Sequence, residues 1–500
     1  MINTATQIES ELESDESSAR QQTWAALVAG EWTTSGPSVA VRNPFNEGLI
    51  AEVHFGTAIE VDKAIGGAVG SFEVTRHLPS WRRADILENV SRMISATREG
   101  FARTIALEAG KPIRSARTEV DRAIFTFKIA AEEAKRIYGE IVPLDWLPGA
   151  ESREGQIRQV PRGPVVAITP FNFPLNLVAH KVAPAMAVGN PIILRPAPQT
   201  PITALKLGKI ILEAGWPGGA ISVIPTTVED ATQLVEDDRI KFLSFTGSAK
   251  VGWSLKQRAG LKPITLELGG NAATIVHRDA PVGYAASRVA WGGFTFSGQT
   301  CISVQRVYVH ADIYSEFIDR LLPEVQKLKV GDPLAEETDI GPVINHTAAQ
   351  RIELWLKEAT DRGAKIITGG TRRGNLWEPT VAESVPEDSQ LSCAEVFGPV
   401  ICLCQYTDVD DALASANRSD YGLQAGLFTQ DLRLIEKAFE QLEVGGLIVN
   451  DVSTFRMDHM PYGGVKRSGL GREGLRYAIQ EMTETKLVVF NHSVWPDRAH

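Results

Sequence analysis

"GPVVAIT", Gly163 to Thr169, is a short apolar run opened by Gly-Pro and closed before a second proline. It is too short for a helix and carries no polar face, so it reads as a strand buried on both sides. Runs of the same kind recur downstream as "PIILRP" (191–196), "AISVIP" (220–225), "IKFLSFTG" (240–247) and "NAATIVH" (271–277). Longer amphipathic stretches separate them, such as "TPITALKLGKIILEAG" (200–215). Strand, helix, strand at this spacing predicts an α/β fold built on a parallel, doubly wound sheet.

A second series follows. It starts with "QRVYVH" (305–310), a helix from Ala311 to about Lys329 and another over 347–362, and continues with "AKIITGG", "VICLCQY", "AGLFT" and "GGLIVN". That predicts a second α/β unit packed on the first, with a cleft between them suited to a cofactor-using enzyme. Two outlying runs, "GQIRQVPRGP" (155–164) and "TKLVVFN" (485–491), read as exposed strands with free edges. Pairing across a subunit contact is preferred for them over pairing within the chain.

A chain of 500 residues exceeds one ordinary core, so two or three domains are expected. The net charge of −10 and the lack of a basic run argue against nucleic acid or an anionic membrane as partner. Four cysteines without a CxxC pair fit a reducing compartment rather than a disulfide framework. The histidines show no zinc spacing, so no metal site is expected. The start, "MINTATQIESELESDESSAR", lacks the features of a signal peptide and reads as a disordered acidic tail over residues 1–21. With no stretch long enough to span a bilayer, the expected location is cytoplasmic.

Several stretches carry candidate chemistry. "GLGREG" (469–474) matches the GxGxxG dinucleotide fingerprint, but no apolar strand precedes it, so it reads as a structural turn. "LSFTGSAKVG" (243–252) is a better phosphate site: a strand ends, Gly247 turns the chain, and Ser248 can cap a helix whose first amides would meet an anion. "TLELGGNAA" (265–273) sets Glu267 among apolar neighbours, where it is either a base of raised pKa or a salt-bridged strand residue. In "TPFNFPLN" (169–176), Asn172 is a rigid amide donor suited to an oxyanion, or an ordinary turn asparagine. "FSGQTCISVQR" (296–306) holds Cys301, either a small buried hydrophobe or a nucleophile.

Taken in order, "PFNFP", "FTGS", "ELGG", "GQTC", "EVFGP" and "PYGGVKRSGLGRE" resemble the signature series of the aldehyde dehydrogenase superfamily, from about residue 24 to about residue 490. The resemblance implies a Rossmann-like cofactor domain (22–137 and 162–270), an α/β catalytic domain (271–475), and a small β bridging element (138–161 and 482–495). The bridging element would mediate subunit pairing in a homo-oligomer, either a dimer or a tetramer. The cofactor would be NAD or NADP, held by Thr169, Pro170, Phe171, Arg195, Pro198, Thr246, Gly247, Ser248, Gly252, Leu268, Gly269, Glu395 and Phe397. Glu395 would bind the nicotinamide ribose. Cys301 would attack the aldehyde, Asn172 and the Cys301 amide would hold the oxyanion, and hydride loss would leave a thioester hydrolysed by water that Glu267 activates.

Acylating relatives that pass the thioester to coenzyme A commonly lack a carboxylate at position 267, so its presence favours the free acid. The coenzyme A-acylating semialdehyde dehydrogenase is the alternative enzyme. A non-catalytic structural or nucleotide-binding protein would be expected to have lost Cys301 or Glu267. Two departures bear on specificity. Arg195 stands where the family usually has lysine, and Pro198 where NAD-preferring members often have a glutamate that repels a 2′-phosphate, so NADP is expected to be accepted. Arg456, with His459 near it, and Arg122 fall in segments that contact substrate in relatives, alongside Phe173 and Thr300. Two arginines suggest a small aldehyde with an anionic tail. The competing readings are solvated surface arginines, and an apolar tunnel of Phe171, Phe173 and Phe294.

Overall fold

The computed structural model describes residues 22–494; the acidic tail, 1–21, and residue 495 of the bridging segment lie outside the described residues. "GPVVAIT" forms the strand Val165–Ile168, buried along its whole length at the centre of an eight-stranded sheet. Ile192–Arg195 and Ile221–Val223 follow it in parallel on one side. On the other side lie Phe242–Thr246 and Ile264–Glu267, also parallel. The strand order therefore reverses between Val165–Ile168 and Phe242–Thr246. Crevices outside the carboxyl ends of strands at such a reversal are where open α/β sheets bind ligands. Helices Asn176–Val188 and Pro201–Glu213 cover the sheet with nearly continuous apolar surface.

Antiparallel strands close both ends of this sheet. Ala26–Val28 and Glu31–Thr33 add at one edge, and Gly469–Leu470 at the other. That last pair falls in the range expected of the catalytic unit, yet it lies on Leu266 and Glu267. "GLGREG" is thus an edge strand and turn, with Gly471 at φ +78. A smaller sheet, Thr23–Trp24, Ser38–Arg42 and Leu49–His54, precedes the main one.

The second unit is a seven-stranded sheet with Ala272–Val276 and Val304–His310 near its centre. All its pairs are parallel except Lys365–Thr368 with Thr380–Glu383. Among the described residues, no helix is long and apolar enough to cross a membrane.

The outlying strands correct one expectation. Arg153–Pro161 and Thr483–Asn491 pair with each other inside the chain, antiparallel over nine residues, with Glu140–Pro143 on the far side. Helix Leu475–Glu481 delivers the chain to that place, where Arg162 Nε donates to the Glu481 carbonyl at 2.8 Å. Once the two ends are held together, zipping the rest of the ladder loses little further chain entropy.

Candidate active site

Cys301 sits where the two units meet, on a loop with an unusual backbone. Phe296, Ser297 and Gly298 all adopt positive φ (48°, 56° and 68°). Two non-glycine residues in that region cost on the order of 1 kcal/mol each or more, so the surroundings must hold them. Ser297 Oγ donates to the Gly341 carbonyl at 2.7 Å. Buried Gln299 accepts from the Ile344 amide at 2.9 Å and donates to the Pro342 carbonyl at 3.3 Å. Asn172 Nδ2 donates to the Gln299 carbonyl at 2.9 Å. That contact uses one of two amide hydrogens, and Asn172 Oδ1 is buried with no partner.

Two cavities meet at Cys301, and Asn172, Leu177 and Cys301 line both. The larger, about 730 Å³, lies at the carboxyl ends of the strands on either side of the order reversal. Pro170, Phe171, Thr246, Gly247, Ser248, Glu267, Leu268, Gly269, Glu395 and Phe397 line it. Phe171 and Phe397 meet edge to face, 5.8 Å between ring centres. Glu395 accepts from the Gly270 amide at 2.9 Å, and burial pushes its carboxyl up to about 7.

Four expected cofactor residues stand off that wall. Thr169 is buried behind it, and Arg195 and Pro198 lie at the end of Ile192–Arg195, where Gln199 lines the cavity instead. Gly252 packs under Leu268, whose Cδ2 would sit 2.3 Å from an added Cβ. Ser248 does occupy the N-cap of helix Ala249–Arg258, but its hydroxyl makes no capping bond, contrary to expectation.

Glu267, at the end of Ile264–Glu267, is 3% exposed, and neither carboxylate oxygen has a hydrogen-bond partner. The salt-bridged reading therefore fails. Burial first, and the neighbouring Glu473 second, hold its carboxyl well above the usual range. Glu473 takes the nearby cations, Lys181 and Arg456, each at 2.9 Å, and is held low. Cys301 Sγ is 2.9 Å from Tyr462 Oη, and burial pushes the thiol up to about 12.

The smaller cavity, about 200 Å³, is lined by Phe173, Thr300, Arg122 and Arg456, together with Lys111, Glu119, Trp291, Phe296 and Tyr462. Neither arginine is a solvated surface residue. Arg122 is paired with Asp458 at 2.6 and 3.1 Å, and Asp458 also accepts from His180 at 2.8 Å and Asn176 at 3.0 Å. The Arg456 side chain is 6% exposed, its guanidinium lies 3.6 Å from the Tyr462 ring centre, and its Nε is buried without a partner. Lys111 forms a buried ion pair with Glu119 and lies over the Phe173 ring at 3.6 Å.

His459 is exposed and packs on Phe125, away from the lining. The phenylalanine tunnel does not form: Phe173 lines the smaller cavity, Phe171 the larger one, and Phe294 borders a neighbouring hollow. Among the described residues, no His, Cys, Asp and Glu are grouped to hold a metal ion.

Residues 32–488 match the model of the aldehyde dehydrogenase family. The chain belongs to that family. Its activity is the NAD(P)-dependent oxidation of an aldehyde to the carboxylic acid. The dehydrogenase is 46% identical over 469 residues to a 3-sulfolactaldehyde dehydrogenase of Priestia aryabhattai, covering 94% of this chain and 98% of that one. It is similar in structure to aldehyde dehydrogenase 21 of Physcomitrella patens in complex with the reaction product succinate. That match has a TM-score of 0.93 and 43% identity, over 95% and 99% of the two chains. A glyceraldehyde-3-phosphate dehydrogenase of Methanocaldococcus jannaschii complexed with NADP gives a TM-score of 0.87 and 40% identity, over 91% and 99%.

The larger cavity of the dehydrogenase fits a dinucleotide. It lies at the strand-order reversal, a helix of ten residues begins at its wall, and Thr246 Oγ1 in the wall and Arg195 Nε beside it are buried without partners.

Proposed function

We propose that the chain oxidises a short aldehyde with an anionic tail, a carboxylate or sulfonate, to the free acid. The observation that carries this is the pair Arg122 and Arg456 in a cavity of only about 200 Å³ that ends at Cys301. That volume is below the range usual for drug-sized ligands. The names of relatives agree in kind, since one acts on 3-sulfolactaldehyde and another holds succinate.

In this reading Cys301 adds as thiolate to the aldehyde carbon, the carbonyl π bond opens onto oxygen, and the second Asn172 amide hydrogen supports that oxygen as it gains charge. The dinucleotide, when bound, accepts the hydride. Glu267 then takes a proton from water attacking the thioester, the carbon–sulfur bond breaks, and Cys301 leaves as thiolate. Pro170, Phe171, Thr246, Ser248, Glu395 and Phe397 would hold the cofactor, with Arg195 and Pro198 at its adenosine end.

Reduced-nicotinamide formation over anionic and neutral aldehydes, without coenzyme A, tests the proposal. Turnover only after coenzyme A is added would refute it. Arg122→Gln is expected to raise KM for anionic aldehydes by ~10–100-fold while leaving neutral ones nearly unchanged, because a charge-assisted contact is lost. An unchanged ratio of kcat/KM between the two classes would remove the anionic tail.

The same proposal has NADP accepted, because among the described residues no carboxylate pairs with Arg195, whose Nη2 donates to the Thr226 carbonyl at 2.9 Å. Pro198→Glu is expected to lower kcat/KM with NADP at least ~10-fold through like-charge repulsion, and to spare NAD. Equal losses with both cofactors would count against it.

A cytoplasmic homo-oligomer completes the reading. Thr483–Asn491 is a sheet edge with Leu487, Val488, Val489 and Phe490 exposed, which supports the bridging role, and all four cysteines are free. A monomer in sedimentation would exclude the oligomer.

A further inference from the structure

The hydroxyl of Tyr462 has no role in the mechanism above, yet it lies 2.9 Å from the Cys301 sulfur. Tyr462 is 2% exposed, and among the described residues that sulfur is the one hydrogen-bond partner of its hydroxyl. A buried phenol with a single partner is oriented by it, and an unpaired hydroxyl there would be costly. The backbone is fixed as well: the Tyr462 and Glu473 amides and carbonyls exchange bonds of 3.1 and 2.7 Å. Across the ring face lies the Arg456 guanidinium, at 3.6 Å. A cation over the ring withdraws electron density from the phenol and makes its O–H a stronger donor.

We propose that Tyr462 is a further catalytic residue, whose hydroxyl donates to the Cys301 sulfur and stabilises its thiolate form. This rests on Cys301 as the nucleophile. Other charged groups act on the sulfur too: Arg456 favours the thiolate, and Glu395 and Glu267 oppose it. The Cys301 amide and the Asn172 side chain are reserved for the substrate oxygen, so in the resting site Tyr462 is the side-chain donor aimed at sulfur. Burial holds the phenol well above its ordinary pKa, so it keeps the proton it donates.

The test reads thiol ionisation without substrate, as the rate of iodoacetamide alkylation of the full chain against pH. Cys301→Ala serves as the blank for the exposed Cys393. Tyr462→Phe removes only the oxygen. It is expected to move the alkylation profile up by about one to two pH units, the size of a hydrogen bond to a charged group. At pH 8 the rate would then be ~10–100-fold lower, approaching that of the unaltered chain as the pH rises. An unmoved profile, in a variant whose thermal unfolding and cofactor binding are unchanged, overturns the proposal.

If Tyr462→Phe does not fold, 3-fluorotyrosine at position 462 keeps the shape and strengthens the donor. Its profile is expected to move down, and an unmoved one overturns the proposal equally. Turnover surviving in Cys301→Ala would instead defeat the assignment of the nucleophile, an outcome separate from any shift in the profile.

Discussion

Replacing Cys301 by alanine is expected to lower kcat by ~10⁴-fold or more, with cofactor binding unchanged. Without the sulfur no covalent adduct can form, and the oxyanion donors and the cavity are left to act on a hydrated aldehyde alone. The loss should be in kcat, because Cys301 is one residue in each of two many-sided walls and contributes little to holding either ligand. Serine is a sharper control than alanine. It returns a hydroxyl of similar size, but one far harder to ionise than the thiol and with nothing beside it poised to take its proton. Glu267, in the wall of the larger cavity with Cys301, is held protonated well above the usual carboxylate range. Activity within ~10-fold of the unaltered chain in either variant would mean that Cys301 fills space and that another group attacks.

The sequence carried the fold because buried parallel strands leave a local mark. Val165–Ile168 and Phe242–Thr246 are uninterrupted apolar runs, and each was readable without knowing its neighbours. Cys301, Glu267 and Asn172 each kept an ordinary reading in their own stretches; the ordered motif series singled them out, and the structure brings all three to the wall of one cavity. What sequence could not supply was partnership. Nothing in "TKLVVFN" says that its partner lies inside the same chain. Nothing in "FRMDHM" says that Asp458 will hold Arg122, 336 positions away. Tyr462 lies in "PYGGVKRSGLGRE", where a tyrosine beside two glycines has many ordinary uses. Its contact with Cys301 spans 161 positions. Ser248 failed as a cap for the converse reason: a residue type that usually caps was placed correctly, and its hydroxyl still makes no such bond.

Glu267→Gln is expected to split the reaction in two. One equivalent of reduced nicotinamide should form in a burst, followed by steady turnover slower by ~10²–10⁴-fold, as the thioester waits for water that no base activates. An added small thiol that accepts the acyl group should restore turnover. Absence of a burst would mean that Glu267 acts before the thioester forms. The pH dependence follows from how the two neighbouring carboxylates are held apart. Burial raises Glu267 most; Lys181 and Arg456 pair with Glu473 and keep it ionised, and that negative charge raises Glu267 further, so it holds its proton. Only the ionised form is a base, so hydrolysis should rise with pH through the raised pKa of Glu267, and the slow phase of Glu267→Gln should lose that rise. Stability must run the other way. A carboxyl whose pKa is raised on folding contributes stability that is fully present below its unfolded pKa and is lost as pH climbs through the folded value. Thermal unfolding of Glu267→Gln should therefore gain on the unaltered chain as the pH climbs from the unfolded to the folded pKa of Glu267, just below the range in which its missing base is most felt. A glutamate kept for structure would show a loss of stability in the variant at high pH, and the sign of that one difference separates the two roles.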